Sequence, residues 1–378
     1  MDERWLNRLQ EATRLTAQGS VMEATALIQR ALRKDPPVIA AKVASLDGAA
    51  PIEGVFHVVD TDTVLRGEVL VDTPPYRRAR GTFPVHEVPG FIDGTYRCAA
   101  GSRSYKLYVP GGYQGQSLPL IVMLHGCTQQ PDDFAAGTQM NGLAEKHSCF
   151  VLYPAQSGEA NSHRCWNWFK EADQMRDSGE PAILAGMTQD IVRQYQIDSR
   201  RVFVAGLSAG GAMAVIMGTT YPDLFAAVGV HSGLPYAAAS DMTSALHAMH
   251  HGKSHQGACL QGWKGRPTIV FHGDQDKTVH PVNGEKLAKQ AESALRAKAK
   301  VPIDYPPTSR RQGKVRHGHR YTVTVYPHAD GRPMIEHWLI HGAGHAWSGG
   351  SRKGSFTDAQ GPDASEEMLR FFLEQSPS

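Results

Sequence analysis

A strand-like run, a glycine-rich turn and an apolar segment of helical length follow one another between residues 202 and 219. The turn reads Gly206-Leu-Ser208-Ala-Gly210, which is the G-x-S-x-G pattern placed between a predicted strand and a predicted helix. A serine on so sharp a turn has a strained backbone, and only small neighbours leave room for it. The helix N-terminus adds free N–H groups and a partial positive charge beside the serine. The stretch therefore predicts a nucleophilic Ser208, and the alternative is a glycine-rich turn that carries a serine by coincidence.

Apolar runs of strand length alternate with segments of helical length from about residue 91 onward. Continuous apolar runs are typical of strands that are buried on both faces of a parallel sheet. The predicted strands cover a hairpin at 94–109 and the runs 118–124, 149–154, 201–206, 225–233, 267–273 and 337–342. The predicted helices cover 132–147, 180–196, 209–221, 282–298 and 363–374. This alternation predicts an α/β fold, with a mostly parallel central sheet and helices on both faces.

Three regions of the chain differ in pattern. Residues 1–37 carry apolar side chains at helical spacing and predict a helical hairpin, suited to contact with a second copy or another protein. Residues 38–90 are rich in Pro, Gly and Asp and predict a linker or irregular segment, whereas 91–378 form the predicted catalytic domain. Within that domain, the basic stretch 302–320 favours a solvated loop or edge hairpin over an anion site. Residues 234–266, rich in Ala, His and Met, are the expected lid or cap.

Composition excludes several classes of function. With 378 residues, 41% hydrophobic, and a net charge of +2, the chain lacks the basic footprint of a nucleic-acid-binding protein. No apolar run reaches the roughly 18 residues of a membrane span.

The N-terminus is charged from its second residue and has no apolar run of the secretory kind. This predicts a cytoplasmic protein and leaves secretion as the alternative. The five cysteines lack zinc-site spacing, so no metal is predicted.

A serine nucleophile needs a base, and the base needs a group that orients it. In a fold of this kind the acid and the histidine follow Ser208 in that order, on loops after later strands. One loop offers Asp274 and Asp276, and the loop after the last predicted strand offers His341 and His345. His341 lies at the end of its strand, whereas His345 lies in a glycine loop that can extend over the sheet. Asp274 directly follows a His-Gly turn that it can brace, so Asp276 and His345 are the predicted pair.

Hydrolysis of an acyl bond also needs backbone donors for an oxyanion. The N–H of Ala209, the residue after the nucleophile, is one predicted donor. The loop after the strand at 118–124 reads LHGCTQ, and the N–H of Cys127 there is the second. His125 and His272 are predicted to be buried imidazoles that hold loop backbone rather than catalytic groups.

Three tryptophans are candidates for contact with a substrate. Trp166 and Trp168 alternate within 161–169, so an extended backbone places both indoles on one side. Polar neighbours favour a half-exposed ledge for this pair, and the alternative is a place in the core. Trp347, two residues after His345, is a further candidate wall of the site.

Six motifs in this order resemble one known family: LHGCTQ, YPAQ, CWNWF, GLSAGG, HGDQD and GAGHAWSGG. The chain is similar, over about residues 93–375, to the esterases named for poly(3-hydroxybutyrate) depolymerases, which are related to feruloyl and acetylxylan esterases. The resemblance implies an α/β-hydrolase fold and a carboxylesterase that acts without a cofactor. It implies Ser208 as nucleophile, Asp276 and His345 as its partners, Cys127 at the oxyanion hole and Trp166 near the substrate groove.

The resemblance also implies a disulfide between Cys127 and Cys165. No secretion signal or C-terminal polymer-binding domain is recognisable, which favours soluble hydroxyalkanoate oligomers, short-chain acyl esters or feruloyl- and acetylxylan-type esters as substrates. Two other interpretations remain open at this stage. One is a peptidase of the same fold, and the other is a binding protein whose hydrolase domain is inactive.

Overall fold

The computed structural model describes residues 90–252, 265–297, 308–328 and 330–375. The helical hairpin expected at 1–37 and the linker expected at 38–90, apart from its last residue, lie outside the described residues. So does about a third of the expected lid at 234–266, since residues 253–264 are not described.

A ten-stranded sheet forms the centre of the described structure, in the strand order β1-β2-β4-β3-β5-β6-β7-β10-β9-β8. The strands are β1 (Gly90–Cys98), β2 (Gly101–Val109), β3 (Leu120–Leu124), β4 (Phe150–Pro154), β5 (Val202–Leu207), β6 (Ala227–His231), β7 (Thr268–Gly273), β8 (Ser309–Lys314), β9 (Arg320–Pro327) and β10 (Pro333–His341). The six central strands, in the spatial order β4, β3, β5, β6, β7 and β10, pair in parallel with their neighbours. Antiparallel strands lie at both edges of the sheet. A two-stranded parallel pair, β11 (Trp347–Ser348) and β12 (Thr357–Asp358), lies apart from this sheet.

Seven helices accompany the sheet in the described residues. They are α1 (Pro131–Thr138), α2 (Met140–His147), α3 (Gly179–Gln194), α4 (Ala209–Thr220), α5 (Met242–His251), α6 (Val282–Ala297) and α7 (Ala364–Glu374). The single helix predicted for 132–147 is wrong, because Gln139 adopts a left-handed conformation with φ of 56° and separates α1 from α2. The sequence prediction also missed α5, although Asp241 and Ser244 form a capping box at its start.

Both faces of the sheet are covered by apolar side chains. In β3, Leu120, Val122 and Leu124 belong to one core cluster, whereas Ile121 and Met123 belong to a second cluster. Alternate residues of a strand point to opposite faces, so the two clusters lie on opposite sides of the sheet. The continuous apolar runs are therefore strands with two buried faces, and the predicted α/β fold is confirmed.

The basic stretch at 302–320 is described from residue 308. There, β8 pairs antiparallel with β9 at the edge of the sheet, and most side chains of β8 are exposed. An edge hairpin is one of the two structures predicted for this stretch. None of the helices described here has the length and apolar character required to cross a bilayer.

Candidate active site

Ser208 occupies a strained turn between β5 and α4. Its φ of 56° and ψ of −117° are unusual for a residue with a side chain, and its N–H donates to the His231 carbonyl at 2.9 Å. A Cβ atom at Gly206 would overlap the backbone of Gly210, and a Cβ at Gly210 would overlap the Leu124 carbonyl. Glycine at these two positions is what lets the strand and the helix approach so closely, as the G-x-S-x-G pattern requires.

Asp276 and His345 form a hydrogen-bonded pair at the same edge of the sheet. The His345 Nδ1 lies 2.7 Å from the Asp276 Oδ2, and the carboxylate side chain is fully buried. The other carboxylate oxygen accepts the N–H groups of Thr278 and Val279, both at 2.9 Å. Burial opposes ionisation, but hydrogen bonds from His272, His345 and the Val279 N–H hold the pKa of Asp276 well below its usual range. The acid is therefore ionised and fixed on its loop.

The competing pair, Asp274 and His341, is also hydrogen bonded. The His341 Nδ1 lies 2.9 Å from the Asp274 Oδ2, and the Gly342 N–H donates to the other oxygen at 2.8 Å. The second ring nitrogen of His341 is engaged as well, since its Nε2 lies 2.9 Å from the Thr322 hydroxyl. A histidine with both nitrogens occupied has none left to accept a proton from a nucleophile. In the described part of the chain, the His345 Nε2 has no such partner.

Ser208 follows β5, Asp276 follows β7 and His345 follows β10, and all three strands are parallel. Their carboxyl ends therefore meet at one edge of the sheet, where open α/β sheets bind ligands. His231 lies between them, because its carbonyl holds the Ser208 amide and its ring interacts electrostatically with His345 and Asp276. Among the hydrogen bonds of the described residues, none joins Ser208 directly to His345.

The two predicted oxyanion donors are the N–H groups of Cys127 and Ala209, and hydrogen bonds fix the loop that carries Cys127. Gly126 donates its N–H to the Gln129 side chain at 2.9 Å, and Thr128 donates to the His163 carbonyl at 2.6 Å. Within the described residues, the N–H groups of Cys127 and Ala209 have no acceptor in the protein. Amides of this kind, at a tight turn and at the first position of a helix, are suited to bind an anionic oxygen.

Cys127 forms a disulfide with Cys165, which is the pairing that the resemblance implies. The bond ties the LHGCTQ loop to the segment that carries CWNWF. The remaining described cysteines, Cys98 and Cys149, are free.

His125 and His272 have the structural roles predicted for them. The His125 Nε2 accepts the Gln156 N–H at 3.1 Å and its Nδ1 lies 2.7 Å from the Gly126 carbonyl, while burial lowers its pKa to about 4. The His272 Nε2 lies 2.8 Å from the Val279 carbonyl and 3.4 Å from Asp276. Both rings are buried and hold loop backbone next to the site.

A buried carboxylate, Glu180, organises the CWNWF segment, and no sequence pattern indicated it. It accepts hydrogen bonds from the N–H and the side-chain amide of Asn167, both at 2.8 Å, and from the Gln156 side chain. The Arg103 guanidinium forms an ion pair with Glu180, with 3.2 Å between the Arg103 Nη2 and the Glu180 Oε1. Because Gln156 also donates its N–H to His125, this network connects CWNWF to the loop that carries Cys127.

The half-exposed ledge predicted for Trp166 and Trp168 is wrong, and the contact of Trp347 with a substrate stays a prediction. Trp166, Trp168 and Trp347 are only 0%, 6% and 1% exposed. The Trp347 indole donates to the Ser365 hydroxyl at 3.0 Å and packs edge-on against Phe134. Apolar burial outweighed the polar neighbours on which the ledge prediction depended, because aromatic side chains contribute large areas to a core. Where described, the chain also presents no cluster of three or more His, Cys, Asp or Glu side chains suited to a metal ion.

A serine on a strained turn, with an Asp–His pair on later loops at the carboxyl edge of a mostly parallel sheet, defines an α/β-hydrolase. The chain belongs to the family described as esterase PHB depolymerase, whose model matches residues 103–318.

Relatives and solved structures agree with this assignment. The chain is 35% identical over 249 residues, 63% of its length, to a poly(3-hydroxyalkanoate) depolymerase C of Paucimonas lemoignei, of which the match covers 57%. It is 31% identical over 200 residues, 49% of its length, to a probable acetylxylan esterase A of Aspergillus flavus, of which the match covers 64%. The chain therefore spans less than two thirds of either relative. An acetyl xylan esterase from Aspergillus awamori shares the fold, with a TM-score of 0.56, 21% identity, and coverage of 72% of this chain and 94% of that one.

Proposed function

We propose that the protein is a serine carboxylesterase that uses Ser208, His345 and Asp276 to hydrolyse short-chain or hydroxyalkanoate esters. The observation that carries the proposal is the 2.7 Å hydrogen bond between His345 and the buried Asp276, beside a serine on a strained turn. This arrangement fixes the proton of the imidazole on Nδ1 and leaves Nε2 to act as a base.

In the proposed mechanism, the His345 Nε2 takes the hydroxyl proton of Ser208 as the serine oxygen attacks the ester carbonyl carbon. The carbonyl oxygen becomes an oxyanion, which the amides of Cys127 and Ala209 stabilise. Collapse of this intermediate breaks the bond to the alcohol oxygen, and His345 returns the proton to the leaving alcohol. Water, deprotonated by the same nitrogen, then attacks the acyl-enzyme and releases the acid and Ser208.

The substrate class is drawn from the names of the relatives. The first relative is named a poly(3-hydroxyalkanoate) depolymerase, which supports esters of hydroxyalkanoic acids. Relatives named acetylxylan esterase A and feruloyl esterase B support acetyl or feruloyl esters of carbohydrates as the second candidate. Both classes are carboxylic esters, so the same three residues and two amides serve either one.

Hydrolysis of p-nitrophenyl butyrate, 3-hydroxybutyrate oligomers, acetylated xylo-oligosaccharides and methyl ferulate tests the proposal with wild type and Ser208→Ala. We expect turnover of at least one ester by wild type and a fall in kcat of about 10⁴ or more in the variant, because the nucleophile is lost. Ser208→Ala should unfold at the same urea concentration as wild type to within about 0.5 M.

The four substrates also separate the candidates. Preference for the oligomers supports the hydroxyalkanoate class, and preference for the carbohydrate or ferulate esters supports the second class. Undiminished hydrolysis by a folded Ser208→Ala, or hydrolysis of none of the four esters by wild type, would contradict the proposal.

A further inference from the structure

His231, the last residue of β6, contacts both of the loops that carry the proposed nucleophile and base. Its carbonyl oxygen accepts the N–H of Ser208 at 2.9 Å. Its ring Nε2 accepts the N–H of Ser348 at 3.0 Å. Ser348 follows His345 closely in the chain, so one residue joins the nucleophile turn to the base loop.

The ring of His231 is held in a single orientation. It is fully buried and lies between the rings of Phe271 and Trp347, with centroid distances of 5.9 and 5.4 Å. The ring Nδ1 lies 3.2 Å from the Ser232 hydroxyl. Because Nε2 faces a backbone N–H, it carries no proton, and the neutral ring has its proton on Nδ1. Burial, together with the charges of neighbouring histidines, lowers the pKa of His231 to about 3, so the ring stays neutral.

The segment after His345 is fixed on two sides. The N–H groups of Trp347 and Gly349 donate to carbonyls on the β12 side at 2.7 and 2.8 Å. The amide between them, that of Ser348, points the other way and meets His231. In the described structure, this ring is the hydrogen-bonding link from that amide back to the central sheet.

We infer that His231 is a positioning residue that fixes the base loop, and with it the His345 ring, against the turn that carries Ser208. The inference rests on the proposed function for its kinetic consequence, but the fixing of the loop is independent of activity. A displacement of about 1 Å between reacting groups lowers the rate of a bound substrate by about 100-fold. Loss of the acceptor on His231 should therefore lower kcat and leave substrate binding nearly unchanged.

Two variants separate the hydrogen bond from the packing. In His231→Gln, the side-chain oxygen can reach the place of Nε2 and accept the Ser348 N–H. His231→Met has nearly the same length and volume but no acceptor of comparable strength. A matched control is His337→Met, a buried histidine on β10 whose Nε2 has no partner in the described structure.

We expect His231→Met to lower kcat by about 10- to 100-fold with KM within about threefold of wild type. His231→Gln should recover most of kcat, and His337→Met should retain it. Hydrogen–deuterium exchange of peptides that span 345–350 should be faster in His231→Met and close to wild type in His231→Gln. Wild-type kcat and exchange in a folded His231→Met, or equal impairment of the Gln and Met variants, would overturn the inference.

The exchange measurement keeps the inference separate from the proposed function. If wild type hydrolyses no ester, the proposed function fails, and the exchange rates alone decide whether His231 fixes the loop. If His231→Met does not fold, nitrogen NMR of the wild-type ring decides instead. We expect a neutral ring with its proton on Nδ1 between pH 5 and pH 8, and a proton on Nε2 would overturn the inference.

Discussion

Two Asp–His pairs lie on neighbouring loops, and the second nitrogen of each ring distinguishes them. His341 is hydrogen bonded on both sides, to Asp274 and to Thr322. Within the described residues, His345 is hydrogen bonded to Asp276 through Nδ1 and its Nε2 has no partner, as the proposed role of base requires. The sequence alone placed two aspartates on one loop and two histidines on the other, but the partners of each ring follow from strand register and loop shape.

The two aspartates give a matched test of this difference. Asp276→Asn should lower kcat by about 10⁴, because an amide in that place favours the wrong tautomer of His345 and no longer stabilises the imidazolium. Asp274→Asn makes the same chemical change beside a histidine that has no free nitrogen, and kcat should stay within about threefold. The measurement is kcat on p-nitrophenyl butyrate for both variants. A larger loss in Asp274→Asn than in Asp276→Asn would assign the role of the acid to Asp274 instead of Asp276.

At the scale of elements, the start of α4 lies against the end of β3. A Cβ atom at Gly210 would overlap the carbonyls of Leu124 and His125, which begin the loop that carries Cys127. The spacing between the two proposed oxyanion donors, on Ala209 and Cys127, therefore depends on the absence of a side chain at residue 210. This contact fixes the position of α4 relative to the loop after β3, although the two are far apart in sequence.

Gly210→Ala should destabilise the fold by about 2–3 kcal/mol, because the methyl group forces the helix and the loop apart. Its remaining folded fraction should also lose activity, since the two amides separate. Gly142→Ala is the control, because a Cβ there meets nothing within 4 Å and the residue lies in α2. That change should be neutral or add up to about 1 kcal/mol. Urea unfolding and kcat measure both effects, and wild-type stability in Gly210→Ala would contradict the close approach.

The sequence predicted the central strands and most helices of the described region, because buried parallel strands are continuous apolar runs. The sequence-based predictions were wrong where contacts between residues distant in the chain determine the local structure. Gln139 interrupts one predicted helix by adopting φ of 56°, which no local pattern requires. The polar surroundings of Trp166 and Trp168 pointed to the surface, but Asn167 satisfies the buried Glu180 instead. The cytoplasmic location stays a prediction.

In the site, the motifs predict Ser208 as the nucleophile and favour Asp276 and His345 over Asp274 and His341. They gave no sign of His231, because its role depends on Ser348, a residue more than a hundred positions away in the chain. A contact of this kind arises only when β6 and β11 are brought together by the fold. Local patterns can identify chemical groups, whereas tertiary structure decides which groups orient them.

At the scale of the whole molecule, the described structure keeps several histidines buried and neutral. Burial lowers the pKa values of His125 and His337 to about 4, and that of His231 to about 3. In the unfolded chain these groups have pKa values near 6.5. Below that pH the unfolded chain binds protons that the folded protein does not bind, so acid favours unfolding.

Stability should therefore be full above about pH 6.5 and fall as the pH drops toward 4, by about 1.4 kcal/mol per pH unit for each of the three rings. The direction follows because the folded pKa values lie below the unfolded ones, so the free energy of unfolding rises with pH across this window. Urea unfolding at pH 8, 6.5, 5.5 and 4.5 measures the dependence. His337→Gln removes one titrating ring without touching the proposed site and should reduce the slope between pH 6 and pH 4.5 by about 1.4 kcal/mol per pH unit. An unchanged slope in this variant would show that His337 is protonated in the folded protein.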